Sequence, residues 1–206
     1  MSSIANNFPV ATFRCRLRRW AVHLPVLITL LVVVAMLAHG VIVQPAGYHD
    51  FADHSQLAGL PLRWFAGLGL LLLAVWLLRY DLARRNIRLR GLTRFIAVCL
   101  FSGYVWLAVG GALWLVVGGA VAGPLYDAML HALFLGFVFA MIFGHAPLIF
   151  PSVLGRPMAY LPAFYGPLIV LHGSLALRVA GDLFGQMALR RWGGLLNGVA
   201  LLLFLA

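Results

Sequence analysis

Long apolar stretches alternate with short polar segments along the whole chain. A helix needs about 20 apolar residues to cross the hydrocarbon core of a bilayer. Stretches of this kind lie at about 24–44, 62–78, 95–119, 129–150, 159–180 and 192–206. We therefore predict an all-α, polytopic transmembrane helical bundle of about six spans, with residues 1–206 forming a single integral membrane domain. The last stretch is shorter than the others, which indicates either a half-span or a chain that continues past Ala206.

The composition supports this interpretation. Hydrophobic residues make up 64% of the chain and charged residues 10%, whereas an average soluble domain has about 25% charged residues. A water-soluble globule, a disordered chain and a disulfide scaffold are therefore excluded. The two cysteines, Cys15 and Cys99, form no CxxC pair and are predicted to be free thiols.

The arginines predict the orientation of the bundle. All fifteen basic residues are Arg. Ten of them lie in segments 14–19 and 79–94, while loops 45–61 and 120–128 contain none. Because basic residues collect in cytoplasmic loops, we predict a cytoplasmic N-terminus in a bacterial inner membrane, with span one as an anchor rather than a removed signal peptide. Arg190 and Arg191, placed before span six, break this pattern.

Topology also accounts for the net charge of +10. We therefore expect the lipid bilayer, and other subunits of a membrane complex, as partners, and no nucleic acid.

Histidines inside the spans are the main candidates for chemistry, because ionisable residues are costly in a membrane and usually functional. His131 and His145 lie 14 residues apart, which on a uniform α-helix puts them within about 40° of one face and about 21 Å apart along the axis. Two-haem membrane cytochromes arrange their ligands in this way. By depth, His39, His131 and His172 share the outer half of the membrane, and His145 lies in the inner half.

We therefore predict an outer site with His131 and His172 as ligands and His39 as a third, and a second site at His145. Imidazole suits haem b iron and copper. The alternative is that these histidines only make hydrogen bonds between helices.

The polar outer loop carries His49, Asp50, Asp53 and His54 within six residues. Imidazole and carboxylate groups are typical ligands of zinc and copper, so this loop is a candidate metal site. The alternative is a turn in which the aspartates cap a short interfacial helix.

Spans four and five resemble the NnrS family of haem- and copper-containing membrane proteins linked to nitric oxide metabolism. The resemblance covers about 55 residues and rests on helix-borne histidines, neighbouring glycines and a proline near the end of span four. These residues are His131, Gly136, Gly144, His145, Pro147, His172, Arg178, Gly181 and Asp182. It implies haem or copper ligation by the histidines of these two spans.

The outer loop resembles a stretch found in alkaline-ceramidase-like hydrolases, which are membrane amidases that use zinc. The matching residues are Tyr48-His49-Asp50-Phe51-Ala52-Asp53 with Gly59-Leu60-Pro61. This resemblance implies that the loop lies near a catalytic zinc ion.

Three functions follow from these patterns. The first is a membrane protein that binds haem, copper or both, and serves respiratory or nitric-oxide-related electron transfer. The second is a zinc-dependent membrane amidase, and the third is a metal-free accessory subunit of a larger membrane complex. Whether the protein is an enzyme stays open, although the sequence has no P-loop, dinucleotide fingerprint, HExxH or GxSxG motif.

Overall fold

A computed structural model describes residues 62–117, 122–155 and 160–205, and the regular structure in these ranges is entirely helical. The elements are α1 (Leu62–Tyr80), α2 (Ala83–Asn86), α3 (Gly91–Val117), α4 (Pro124–His131), a π-helical segment (Ala132–Val138), α5 (Phe139–Leu154), a 3-10 turn (Pro162–Phe164), α6 (Tyr165–Leu183) and α7 (Met187–Leu205). The all-α prediction is confirmed for these residues. The predicted first span lies outside them.

Four helical stretches are long and apolar enough to cross a membrane: Gly91–Val117, Pro124–Val153, Pro162–Leu183 and Met187–Leu205. A shorter apolar stretch, Ala66–Tyr80, lies within α1. Large apolar side chains such as Ile169 and Leu202 point outward and are 68% and 69% exposed. Outward faces made of apolar side chains are suited to contact with the hydrocarbon chains of a bilayer, because they offer water no polar groups.

The last helix begins earlier than the sixth predicted span, 192–206. α7 begins at Met187 and has 19 residues, so Arg190 and Arg191 lie at its start and not in a loop before it. The predicted span began near Trp192 and so placed both arginines before it. Arg190 is tolerated within the helix because it pairs with acidic groups on two neighbouring helices.

Helices α3, α5, α6 and α7 enclose the main apolar core. Its buried residues are Phe95, Cys99, Phe143, Leu168, Leu171 and Ala200. α6 and α7 approach closely because glycines face backbone atoms at the contact. A Cβ placed on Gly193 would lie 2.6 Å from the backbone nitrogen of Arg178, and one on Gly181 would lie 2.6 Å from that of Arg190. Small residues of this kind let membrane helices pack backbone to backbone.

The helical stretch that carries His131 and His145 is not uniformly α-helical. The π-helical segment Ala132–Val138 separates the two histidines, and its Gly136 lies against Trp106 of α3. Hydrogen bonds in a π-helix join residues five apart rather than four. The estimate that both histidines project within about 40° of one face assumed a uniform α-helix, so it does not hold here.

Candidate functional site

His172 of α6 is held by side chains on α3 through both of its ring nitrogens. Trp106 Nε1 donates to His172 Nδ1 at 3.0 Å. Because the indole N–H only donates, Nδ1 must be the unprotonated nitrogen. Nε2 therefore carries the hydrogen and donates to Ser102 Oγ at 2.9 Å, and Ser102 in turn donates to the carbonyl of Cys99 at 3.0 Å. The result is one hydrogen-bonded chain between α3 and α6.

His131 is fixed differently, by its own helix. Its Nδ1 lies 2.7 Å from the carbonyl oxygen of Asp127, one turn earlier, and 3.4 Å from Asp127 Oδ1. A carbonyl oxygen only accepts, so Nδ1 carries the hydrogen, and in the neutral ring Nε2 carries the lone pair. A metal-ligating histidine typically has this arrangement, in which one ring nitrogen donates to a carbonyl or carboxylate and the other faces the metal.

His145 repeats this arrangement on an exposed part of α5. Its Nδ1 lies 2.8 Å from the carbonyl oxygen of Met141, four residues earlier. In the neutral ring, Nε2 is again the nitrogen with the lone pair. Met141 itself points elsewhere, because its methyl group lies 2.6 Å from a Cβ placed on Gly103 of α3.

The structure brings the neighbourhoods of His131 and His172 together. Ala128, Leu175 and Val179 form a buried cluster between α4 and α6, and Trp106 packs against it. Among the described residues no hydrogen bond joins the two imidazole rings. The ligand roles of His131, His145 and His172 stay predictions, and His39 lies outside the described ranges.

An ionic network beside His131 was missed in the sequence. Asp127 Oδ2 lies 2.8 Å from Arg178 Nη2 and 3.2 Å from Arg190 Nη2. Arg190 also contacts Asp182, whose side chain is fully buried. The network joins α4, α6 and α7 at one end of the bundle and balances two positive with two negative charges.

A signal for this network was present in the sequence. Arg178 lies in an apolar stretch and Asp182 follows it four residues later, so both fall near one face of a helix. A charge at such a position requires a partner. The partner Asp127 lies 51 residues earlier in the chain than Arg178, and no local pattern connects them.

The candidate metal site of the outer loop, with His49, Asp50, Asp53 and His54, lies outside the described ranges and stays a prediction, as does the zinc amidase that depends on it. Within residues 62–117, 122–155 and 160–205, no group of three or more His, Cys, Asp or Glu side chains is placed to hold a metal ion.

A family model for a domain of unknown function, DUF8744, matches residues 10–206. The chain belongs to this family. No curated protein and no solved structure matches it.

Proposed function

We propose that this member of the DUF8744 family is a multi-pass protein of the bacterial inner membrane that binds haem b through His131 and His145. It would serve respiratory or nitric-oxide-related electron transfer. One observation carries the proposal: each of these histidines donates Nδ1–H to a carbonyl one turn earlier, which leaves the lone pair of the neutral ring on Nε2. The resemblance of this helix to the NnrS family supports the same ligand type.

Among the described residues, no group of three or more ligating side chains surrounds these imidazoles, and a haem needs no such group. The porphyrin supplies four ligands to its iron, so the protein needs to supply only one or two. Zinc takes three or four protein ligands, and copper takes imidazole and sulfur ligands in groups. A copper site is therefore the weaker form of the proposal, since the Met141 side chain packs on Gly103 of α3. Haem would supply reversible one-electron chemistry at iron.

The sequence predicted His172 as a ligand of the outer site together with His131, and this proposal does not rest on that role. To bind iron through Nδ1, its ring would have to release Trp106, which donates to that nitrogen. We therefore assign His131 to the outer haem and His145 to a second one. His172 and His39 remain candidates for a second residue that would hold the outer haem.

A visible absorption spectrum of the purified protein, expressed with ample haem, tests the proposal. We expect a Soret band that shifts on reduction. In His131→Ala, most of the absorbance contributed by haem at the outer site should be lost. His145→Ala should remove the absorbance contributed by haem at the second site. A colourless wild-type protein would contradict the proposal.

A matched substitution separates ligation from support at His172. Glutamine can accept from Trp106 and donate to Ser102, but it brings no imidazole. If His172 only joins α3 to α6, His172→Gln leaves the spectrum unchanged. If His172 is an axial ligand, His172→Gln converts the low-spin spectrum to a high-spin one.

The metal-free accessory subunit is the second candidate. The observation that favours it is His172, because both of its ring nitrogens already bond to side chains of a neighbouring helix. A purified protein that is colourless, contains no metal and copurifies with a large respiratory complex would support this candidate. Stoichiometric zinc that is lost in His49→Ala would support the amidase instead.

A further inference from the structure

Six exposed arginines surround the connection between α1 and α3. They are Arg79, Arg84, Arg85, Arg88, Arg90 and Arg94, and we call them the arginine surface. Within the described part of the chain, none of them makes a salt bridge. The only acidic residue of this connection, Asp81, accepts a hydrogen bond from the backbone N–H of Ala83 at 2.7 Å. The surface therefore carries a strong positive charge with no carboxylate paired to it among these residues.

The backbone beneath the arginines is anchored to the bundle. Ala83 of α2 is 2% exposed and packs with Ala97 and Tyr104 of α3, and Ile87 packs against the same cluster. This packing holds α2 and the following turn against α3, while the arginines of both segments remain exposed. The arginines are thus carried by a backbone that is held in place by packing against α3.

Apolar side chains lie among the arginines and point outward with them. Leu82 is 66% exposed and Leu89 is 51% exposed. Tyr80, at the end of α1, is 59% exposed. Cationic and apolar groups side by side at the end of an apolar helix are suited to the boundary between phospholipid headgroups and acyl chains.

We propose that the arginine surface binds the headgroups of anionic phospholipids, phosphatidylglycerol or cardiolipin, while Leu82 and Leu89 enter the acyl boundary. Guanidinium groups bind phosphate oxygens in a bidentate manner. Membrane topology alone accounts for the number of arginines. It does not account for an anchored backbone that presents leucines beside them. A soluble phosphate compound or a nucleic acid would also carry negative charge, but it has no acyl chains that could contact the leucines.

The test is a lipid titration of the purified protein in an uncharged detergent, followed by native mass spectrometry. Dioctanoyl-phosphatidylglycerol is the probe, and dioctanoyl-phosphatidylcholine is its uncharged counterpart. Substitution of arginines can change the orientation in which a protein inserts into a membrane. In detergent both ends of the bundle are accessible, so the measured lipid affinity does not depend on that orientation. The wild type should prefer the anionic lipid.

Substitution of the arginines should remove this preference. Each arginine removed takes away a guanidinium group that can bind the phosphate. The triple variant Arg84→Gln, Arg85→Gln, Arg88→Gln should therefore lose the preference for the anionic lipid, while the matched lysine triple, which keeps the charge without the bidentate geometry, should retain part of it. Arg191→Gln, at an exposed arginine of α7, is the control and should bind like the wild type.

The leucines identify the ligand as a lipid. Leu82→Ser with Leu89→Ser should weaken binding of dioctanoyl-phosphatidylglycerol and leave unchanged the weak binding of glycerophosphoglycerol, which has no acyl chains. Equal affinity for the two lipids in the wild type, or full affinity in the glutamine triple, would overturn the proposal. So would binding of glycerophosphoglycerol as tight as that of the lipid, which would indicate a soluble phosphate ligand.

Discussion

Arginines serve two different purposes at two places in this molecule. Arg178 and Arg190 lie among three helices, with side chains 20% and 26% exposed, and both pair with Asp127. The six arginines of the arginine surface are exposed and make no salt bridge among the described residues. A charge in an apolar helix must be balanced by a nearby opposite charge, whereas water and headgroups balance a charge in a loop. The first group therefore holds helices together, and the second remains available for contact with other molecules.

The largest expected effect is the loss of a partner inside the ionic network. Arg190→Met keeps the apolar stem of the side chain but leaves the buried Asp182 carboxylate without its arginine. Breaking a buried pair in this way should cost about 3 kcal/mol of the free energy of unfolding. Denaturation in detergent micelles measures this loss, with Arg191→Met as the exposed control.

A second substitution checks the cause of that loss. In the Arg190→Met background, Asp182→Asn removes the unpaired charge and should restore a large part of the stability. If the double variant is no more stable than Arg190→Met alone, the pairing of Arg190 with Asp182 does not explain the effect.

The close contact that supports the network should be the next most sensitive feature. Gly193→Ala places a methyl group 2.6 Å from the backbone nitrogen of Arg178, which should push α6 and α7 apart and cost about 2 kcal/mol. Gly198→Ala is the matched control on the same helix, because its added methyl group meets nothing within 4 Å. Equal stability of the two alanine variants in the same unfolding assay would refute a tight contact at Gly193.

A smaller effect is expected at the hydrogen bond between Trp106 and His172. Trp106→Phe keeps an aromatic ring against Gly136 but removes the N–H that donates to His172 Nδ1. Hydrogen bonds between membrane helices contribute modestly, so the expected loss is about 1 kcal/mol. A Trp76→Phe variant, in which the ring lies near Tyr80, controls for general effects of replacing indole. The assignment fails if both variants lose the same stability.

The smallest effect is expected at the arginine surface. The glutamine triple at positions 84, 85 and 88 should change the free energy of unfolding by less than about 0.5 kcal/mol, as exposed substitutions usually do. Its preference for the anionic lipid should nevertheless be lost. A large loss of stability in this triple would remove the distinction between the two groups of arginines.

The helices were predictable from sequence because apolar runs and helical hydrogen bonds are local. The predicted second span, 62–78, differs from α1 (Leu62–Tyr80) only at its end. Features that join distant parts of the chain were not predictable. Asp127 pairs with Arg190 across 63 residues, and Trp106 meets His172 across 66.

The residue types of the candidate site are visible in the sequence and its geometry is not, and the ligand roles stay predictions. Histidine positions on the spans are visible in the sequence, but which ring nitrogen carries a lone pair depends on neighbours such as Ser102 and the carbonyl of Asp127. The sequence therefore ranked His172 beside His131, while the hydrogen bonds set His172 apart from both His131 and His145.

The π-helical segment Ala132–Val138 bears on how members of this family diverge. A π turn closes with one more residue than an α turn, so the segment can be regarded as a single-residue insertion that the helix absorbed during evolution. Deletion of one residue there would restore an α-helix and rotate the part that carries His145 by about 100° relative to His131. Alignments of family members should therefore be inspected for a one-residue gap between positions 132 and 138. Members that lack the residue would direct the two imidazoles toward different neighbours than members that have it.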